Sequence, residues 1–211
     1  MSLIFENISF RYRDDFSVKE LIFSNFSLNI HTREKVGIFG KTGSGKSTLI
    51  KLLTGEEKLQ KGKILFQNHD IKRMKNMFEN IAILFQKPEK QFVFPKIKDE
   101  IEFISERRKD DIQTRIYELA DKFNFMLKSY LSRNIYSISS GELKLLQVIL
   151  VLSINRPYLI LDDPFLFLDE DKSKIFKELL ANFRNKTILI LARNKSNFEG
   201  IIDREIILNN R

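Results

Sequence analysis

The chain has no cysteine, which excludes disulfides, zinc-thiolate sites and thiol catalysis and leaves the redox compartment unreadable. Histidine is almost absent: His31 and His69 are the two in the chain, and both lie far upstream. No stretch reaches eighteen consecutive apolar residues, so none reads as a membrane span. The opening residues show no basic segment followed by an apolar one, so the expectation is a cytosolic chain with nothing directing secretion. Charge is not of one sign either. The net +8 comes from 36 basic and 28 acidic residues, and the basic ones are scattered rather than blocked. That favours an anionic membrane surface or a compositional bias over a nucleic-acid partner. A length of 211 residues suits one domain, or one domain with a subdomain.

What the chain does contain is an apolar run, Val36-Gly37-Ile38-Phe39, followed by Gly40-Lys41-Thr42-Gly43-Ser44-Gly45-Lys46-Ser47-Thr48 and then an apolar helical segment. This is a P-loop. Glycines let the backbone wrap a phosphate, and the next helix begins with its positive dipole end there. Lys46 is placed to neutralise β- and γ-phosphate charge and Ser47 to ligate Mg²⁺. The implied ligand is a nucleoside triphosphate, with all nine residues from Gly40 to Thr48 as candidate binding residues.

Alternating apolar residues over 3–12 and 21–30 predict two antiparallel strands separated by a loop at 13–17. Tyr12 closes the first; by position alone it reads as a core or surface aromatic. Gly55 ends the P-loop helix, and 62–66 and 80–85 read as further strands, the latter stopped at Gln86-Lys87-Pro88. Gln86 would lie beside the phosphate site if its strand neighbours the P-loop strand. From 99 to 138 the pattern turns helical, with Ile112, Ile116, Leu119, Ala120 and Phe123 in one stripe and Asp110 or Asp111 as N-cap. Ser139-Ser140-Gly141-Glu142 then begins a helix that is apolar on nearly every side and therefore buried.

The strand 158–162 ends in Asp162 and Asp163, the second phosphate-site signature of P-loop proteins; a solvated acidic turn is the other reading. In the first reading Asp162 holds Mg²⁺ and Asp163 faces the attacking water. A helix over 171–183, a strand over 186–191 and an edge strand over 204–208 complete an α/β fold: a P-loop core with an N-terminal antiparallel β subdomain and a helical insert at about 95–155.

These pieces, in this order and over essentially the whole chain, resemble the ATP-binding subunits of ABC transporters. Tyr12 looks like the adenine-stacking aromatic, Gly40 to Thr48 like the Walker A loop and Gln86 like the Q-loop. Ile138-Ser139-Ser140-Gly141-Glu142 looks like the signature, 159–163 like the Walker B strand and Leu168-Asp169 like the D-loop. Gln86-Lys87-Pro88-Glu89-Lys90-Gln91-Phe92 followed by Lys98-Asp99-Glu100-Ile101-Glu102-Phe103 is similar to the energy-coupling-factor importers of vitamins and cobalt. The resemblance implies one nucleotide-binding domain over 1–211 that binds ATP and Mg²⁺, the metal near Ser47, Gln86 and Asp162. It implies a second ATP-binding subunit, with Ser139 and Gly141 of one subunit capping the γ-phosphate on the P-loop of the other. It also implies an integral membrane subunit docked near Gln86 and the helical insert, on the inner face of the cell membrane, and no nucleic-acid partner.

Three positions depart from the family pattern. The general-base glutamate is Asp163, shorter by one methylene, and the switch histidine is Arg193, which donates hydrogen bonds but accepts none. Ser140 replaces a signature glycine, a strained substitution if φ there is positive. The expectation is an importer ATPase with catalytic residues Lys46, Gln86, Asp163 and Arg193 and with slow hydrolysis at its own site. The alternatives are a soluble ABC-type ATPase acting on nucleic acid or the ribosome, and a non-hydrolytic regulatory subunit.

Overall fold

The computed structural model describes residues 2–14, 17–74, 76–106 and 111–208. In chain order it runs β1 (Ser2–Asp14), β2 (Ser17–His31), β3 (Lys35–Phe39), α1 (Lys46–Thr54), β4 (Lys61–Phe66), β5 (His69–Asp70) and β6 (Ile81–Leu84). There follow α2 (Ile97–Glu106), α3 (Ile112–Lys122), α4 (Ser140–Ser153), β7 (Tyr158–Asp162), α5 (Glu170–Asn182), β8 (Thr187–Ala192) and β9 (Arg204–Ile207).

Alternation brings β1 and β2 together as an antiparallel pair, Ser2 opposite His31 and Asp14 opposite Ser17. The strands therefore take up part of the expected 13–17 loop, of which Asp15 and Phe16 lie outside the described residues. Leu3 and Phe5 share a buried face with Ile8 and Phe10, although Phe5 and Ile8 are an odd number of residues apart. A bulge between Phe5 and Ile8, with Asn7 at φ 48°, resets the phase. This antiparallel sheet has the order β2-β1-β4-β5.

The second sheet is parallel, in the order β6-β7-β8-β3-β9. β6 therefore pairs with β7 and not with the P-loop strand β3, which removes the condition on which Gln86 was placed beside the phosphate site. Strands covered on both faces read as continuous apolar runs, and their alternation divides the core in two. Tyr158 and Ile160 of β7 face the antiparallel sheet, while Leu159 and Leu161 face the helices. On β8, Leu189 and Leu191 take the first side and Ile188 and Ile190 the second.

The helices α2, α3 and α4 lie between β6 and β7, where the helical insert was expected. Asp111 caps α3, its carboxylate accepting the Thr114 N–H at 3.2 Å; Asp110 lies outside the described residues. Ile112, Ile116, Ala120 and Phe123 are buried and Leu119 partly so. Helix α4 is buried along its whole length from Leu143 to Ser153, as its all-round apolarity requires, with Lys144 and Gln147 among the enclosed residues.

Candidate functional site

The chain leaves β3 at Phe39 and folds back over Gly40 to start α1 at Lys46. Two glycines are sterically required. A Cβ at Gly40 would come within 2.5 Å of the Leu208 carbonyl oxygen, and Gly45, at φ 95°, would bring one within 2.7 Å of Ile22. The Lys46 ammonium is drawn into the loop: it donates to the carbonyls of Gly40 at 2.6 Å and Lys41 at 2.9 Å, and to Ser44 Oγ at 3.4 Å. Burial lowers its pKa from the ordinary lysine value, opposed by the charges of Asp163 and Asp162. Lys41, Thr42, Gly43 and Ser47 are exposed, while Ser44 and Thr48 are buried.

Tyr12 stands against this loop, half-buried. Its hydroxyl shares a 3.1 Å hydrogen bond with Thr48 Oγ1, its ring meets Phe10 edge-on at 5.0 Å, and Lys51 Nζ lies 5.6 Å from the ring centre.

Because β7 lies two strands from β3, its C-terminal carboxylates reach the same end of the sheet. Ser47 donates to Asp162 Oδ2 at 3.1 Å. Asp162 is 4% exposed, its other oxygen Oδ1 is buried without a hydrogen-bond partner, and burial pushes the carboxyl up to about 6. An orphaned carboxylate oxygen beside a hydroxyl fits a hard divalent cation such as Mg²⁺. Among the described residues no group of three histidine, cysteine or carboxylate side chains holds a metal alone. Mg²⁺ held by few protein ligands takes its remaining oxygens from water and bound phosphates.

Asp163 has its backbone in the left-handed region at φ 43° and its N–H bonded to the Leu191 carbonyl at 2.8 Å. Its Oδ2 accepts from Gln86 Nε2 at 2.8 Å, and Arg193 Nε lies 3.9 Å from the same oxygen. Gln86 thus arrives at the site across β7, through Asp163 rather than through Ser47 or Asp162.

Ser139 and Gly141 stand at the other candidate surface, the N-terminus of α4. Ser139 Oγ accepts the Glu142 N–H at 3.2 Å and the Glu142 carboxylate accepts the Ser139 N–H at 2.7 Å, a reciprocal capping box. Tyr130 donates to the same carboxylate at 2.5 Å, which with the other bonds lowers the Glu142 pKa. Ser140 is the first residue of α4 and is not among the positive-φ residues, so the strain expected of a serine there does not arise. Gly141 packs closely, since a Cβ would sit 3.0 Å from the Phe167 carbonyl oxygen.

The fold therefore gathers Lys46, Ser47, Gln86, Asp162, Asp163 and Arg193 at one end of the parallel sheet. Ser139 and Gly141 are tied into their own helix cap. Sequence reasoning passed over Lys144 and Gln147 and gave Gln91 no role beyond its place in the importer-like segment; all three bind the backbone just before Gln86. The available signal was a lysine and a glutamine inside a helix otherwise apolar all round.

A family profile described as "ABC transporter" matches residues 23–166. The energy-coupling factor transporter ATP-binding protein EcfA1 of Mycoplasmoides gallisepticum is 34% identical over 90% of this chain and 68% of its own length. The protein of the same name from Fusobacterium nucleatum is 34% identical over 90% of this chain and 73% of its own length. Among solved structures, cbiO1 of Clostridium perfringens, part of an ABC transporter complex, superposes with TM-score 0.75 at 25% identity, covering 98% of this chain and 84% of that one. A dimeric ATP-binding cassette with ADP and Pi superposes with TM-score 0.83 at 19% identity, covering 98% and 94%, a likeness of fold. The chain belongs to the ABC transporter family as an ABC-type ATPase and is similar to the ATP-binding proteins of energy-coupling factor transporters.

Proposed function

We propose that this chain is the ATP-binding subunit of a membrane importer, a single nucleotide-binding domain working by ATP-driven closure onto a second ATP-binding subunit, with slow hydrolysis at its own site. The observation that carries it is the Ser47 hydroxyl bonded to Asp162 beside the buried, bondless Asp162 Oδ1, within reach of the Lys46 loop. Ser47 and Asp162 would hold Mg²⁺, with Gln86 nearby, and the metal would supply neutralisation of phosphate charge. Lys46 exchanges its carbonyl partners for phosphate oxygens, and the backbone from Gly40 to Thr48 cradles the phosphates. Tyr12 takes the adenine on its exposed face while its hydroxyl stays on Thr48. Asp163 accepts the proton of the attacking water, oriented by Gln86. Arg193 supplies only donors, so it binds γ-phosphate charge without the proton-accepting capacity of a neutral histidine. Ser139 and Gly141 cap the phosphate on the partner's loop.

An integral membrane subunit and a second ATP-binding subunit are therefore the expected partners, with the chain peripheral on the inner face of the cell membrane and no nucleic-acid ligand. The experiment is purification of the tagged chain from membranes, followed by calorimetry with MgATP. A membrane subunit is expected to co-purify. Lys46→Ala is expected to weaken MgATP binding by at least about tenfold, as one or two charge-assisted hydrogen bonds of about 1.5–3 kcal/mol each are lost. Equal affinity in Lys46→Ala and parent overturns the site, and a chain that brings down no membrane subunit overturns the importer.

A further inference from the structure

β6 is the edge strand of its sheet, paired on one side with β7. On the open side the Gln91 side-chain amide takes the place of a strand. Its Nε2 donates to the Ile83 carbonyl at 2.9 Å and its Oε1 accepts the Phe85 N–H at 3.3 Å. These two groups flank Leu84 and are the pair that one residue of a neighbouring strand would bond. The Phe85 carbonyl, where the ladder ends, accepts twice from α4: from Lys144 Nζ at 3.0 Å and from Gln147 Nε2 at 3.0 Å. Gln147 Nε2 also donates to Gln91 Oε1 at 2.6 Å, closing the set, and Lys144 Nζ lies 3.5 Å from the Gln86 carbonyl.

Lys144 is 0% exposed and Gln147 1%. A buried ammonium is expensive unless its surroundings repay it, and an apolar residue would fill the same slot in α4 at lower cost. Lys144 is attracted by Asp162, Asp163 and Glu89, and burial still lowers it to about 8. Its position thus combines a clamp on the backbone of Phe85 and Gln86 with positive charge behind the paired carboxylates.

We propose that Lys144, supported by Gln147 and Gln91, is a positioning residue for ATP hydrolysis: it fixes the backbone from which Gln86 reaches Asp163. The inference rests on the ATPase reading of the site. The Gln86 amide meets Asp163 at 2.8 Å, and displacement of a catalytic contact by about 1 Å costs up to about 10²-fold in rate. None of the three side chains lies among the residues proposed to touch nucleotide, so the effect falls on turnover rather than on ATP affinity.

The test uses the full chain in complex with its co-purified partners and three variants. Lys144→Met fills the slot without donor or charge, Lys144→Arg keeps both, and Gln91→Met removes the strand-like amide. Lys144→Met and Gln91→Met are expected to lower kcat about tenfold or more, with MgATP affinity within about threefold, and Lys144→Arg to recover most of the loss. Amide deuterium exchange across 82–94 is expected to rise in both Met variants, with the P-loop and α4 unchanged. Unchanged kcat and exchange in both Met variants overturn the proposal. So does a parallel loss of MgATP affinity and thermal stability, which marks a merely structural lysine. If the parent complex turns over no ATP, the ATPase reading fails, and the exchange data alone decide whether Lys144 positions Gln86.

Discussion

Asp163 combines two constraints in one residue. Its backbone sits at φ 43°, a region that aspartate and asparagine tolerate better than longer side chains. Its carboxylate is held by Gln86 and faced by Arg193, so the short side chain is already partnered. Asp163→Glu would restore the missing methylene at a backbone cost. The expected outcome is a rise in kcat of about tenfold, with ATP affinity changed less than about threefold. It is accompanied by a loss of about 1 kcal/mol, or about 2–4 °C in Tm for a chain of this size. Asp163→Asn keeps the left-handed backbone and should melt near the parent while abolishing turnover. Arg193→His should combine with Asp163→Glu non-additively, since in the proposed mechanism both act on one water and one phosphate. Steady-state kinetics and thermal melts of the parent, the three single variants and the Asp163→Glu/Arg193→His double variant decide it; an unchanged kcat in Asp163→Glu would show that reach is not limiting.

At the scale of one element, the N-terminus of α4 depends on a charge. Glu142 accepts from Tyr130 and from the Ser139 N–H, and these bonds lower its pKa from 4.5. A carboxylate depressed in the folded state stabilises fully above its unfolded pKa, and that stabilisation is lost as pH falls through the folded value. Glu142→Gln should therefore melt below the parent at pH 7, with the gap closing as pH drops below about 4.5. A gap independent of pH between 3 and 7 would mean that packing rather than charge holds the cap. The same element shows the limit of pattern reading. Its apolarity announced burial, whereas the roles of Lys144 and Gln147 depend on β6 running alongside.

For the whole molecule, the two halves of the proposed phosphate site lie on different surfaces of one chain. Lys46, Ser47 and Asp162 form one half, and the capped start of α4 forms the other, with Ser139 and Ser140 exposed. In the proposed mechanism two subunits complete what one leaves open, so MgATP should drive association by mass action, most strongly when Asp163→Asn blocks turnover. Light scattering of Asp163→Asn, alone and with its partner ATP-binding subunit, is expected to show dimers with MgATP and none with EDTA. Ser139→Glu, which puts a carboxylate where a phosphate would bind, should prevent them. Monomers under every condition would remove closure as the mechanism.

The sequence by itself determined what is local. Glycines at 40, 43 and 45 permit the P-loop turn whatever surrounds it, alternation marks strands, and an i, i+4, i+7 stripe marks α3. Tertiary structure decided what is not local. The order β6-β7-β8-β3-β9 follows from where the crossover helices pack, and no strand's own composition records its neighbour. That order carries Gln86 to Asp163, 77 residues away, and closes Lys144 beneath the Phe85 carbonyl. The torsion at Ser140 was likewise invisible, because a serine is compatible with a helix start or a left-handed turn, and only the capping box with Glu142 selects the helix. Hydrogen bonds between distant segments depend on geometry that packing of both cores imposes at once, and that is where the site acquired its form.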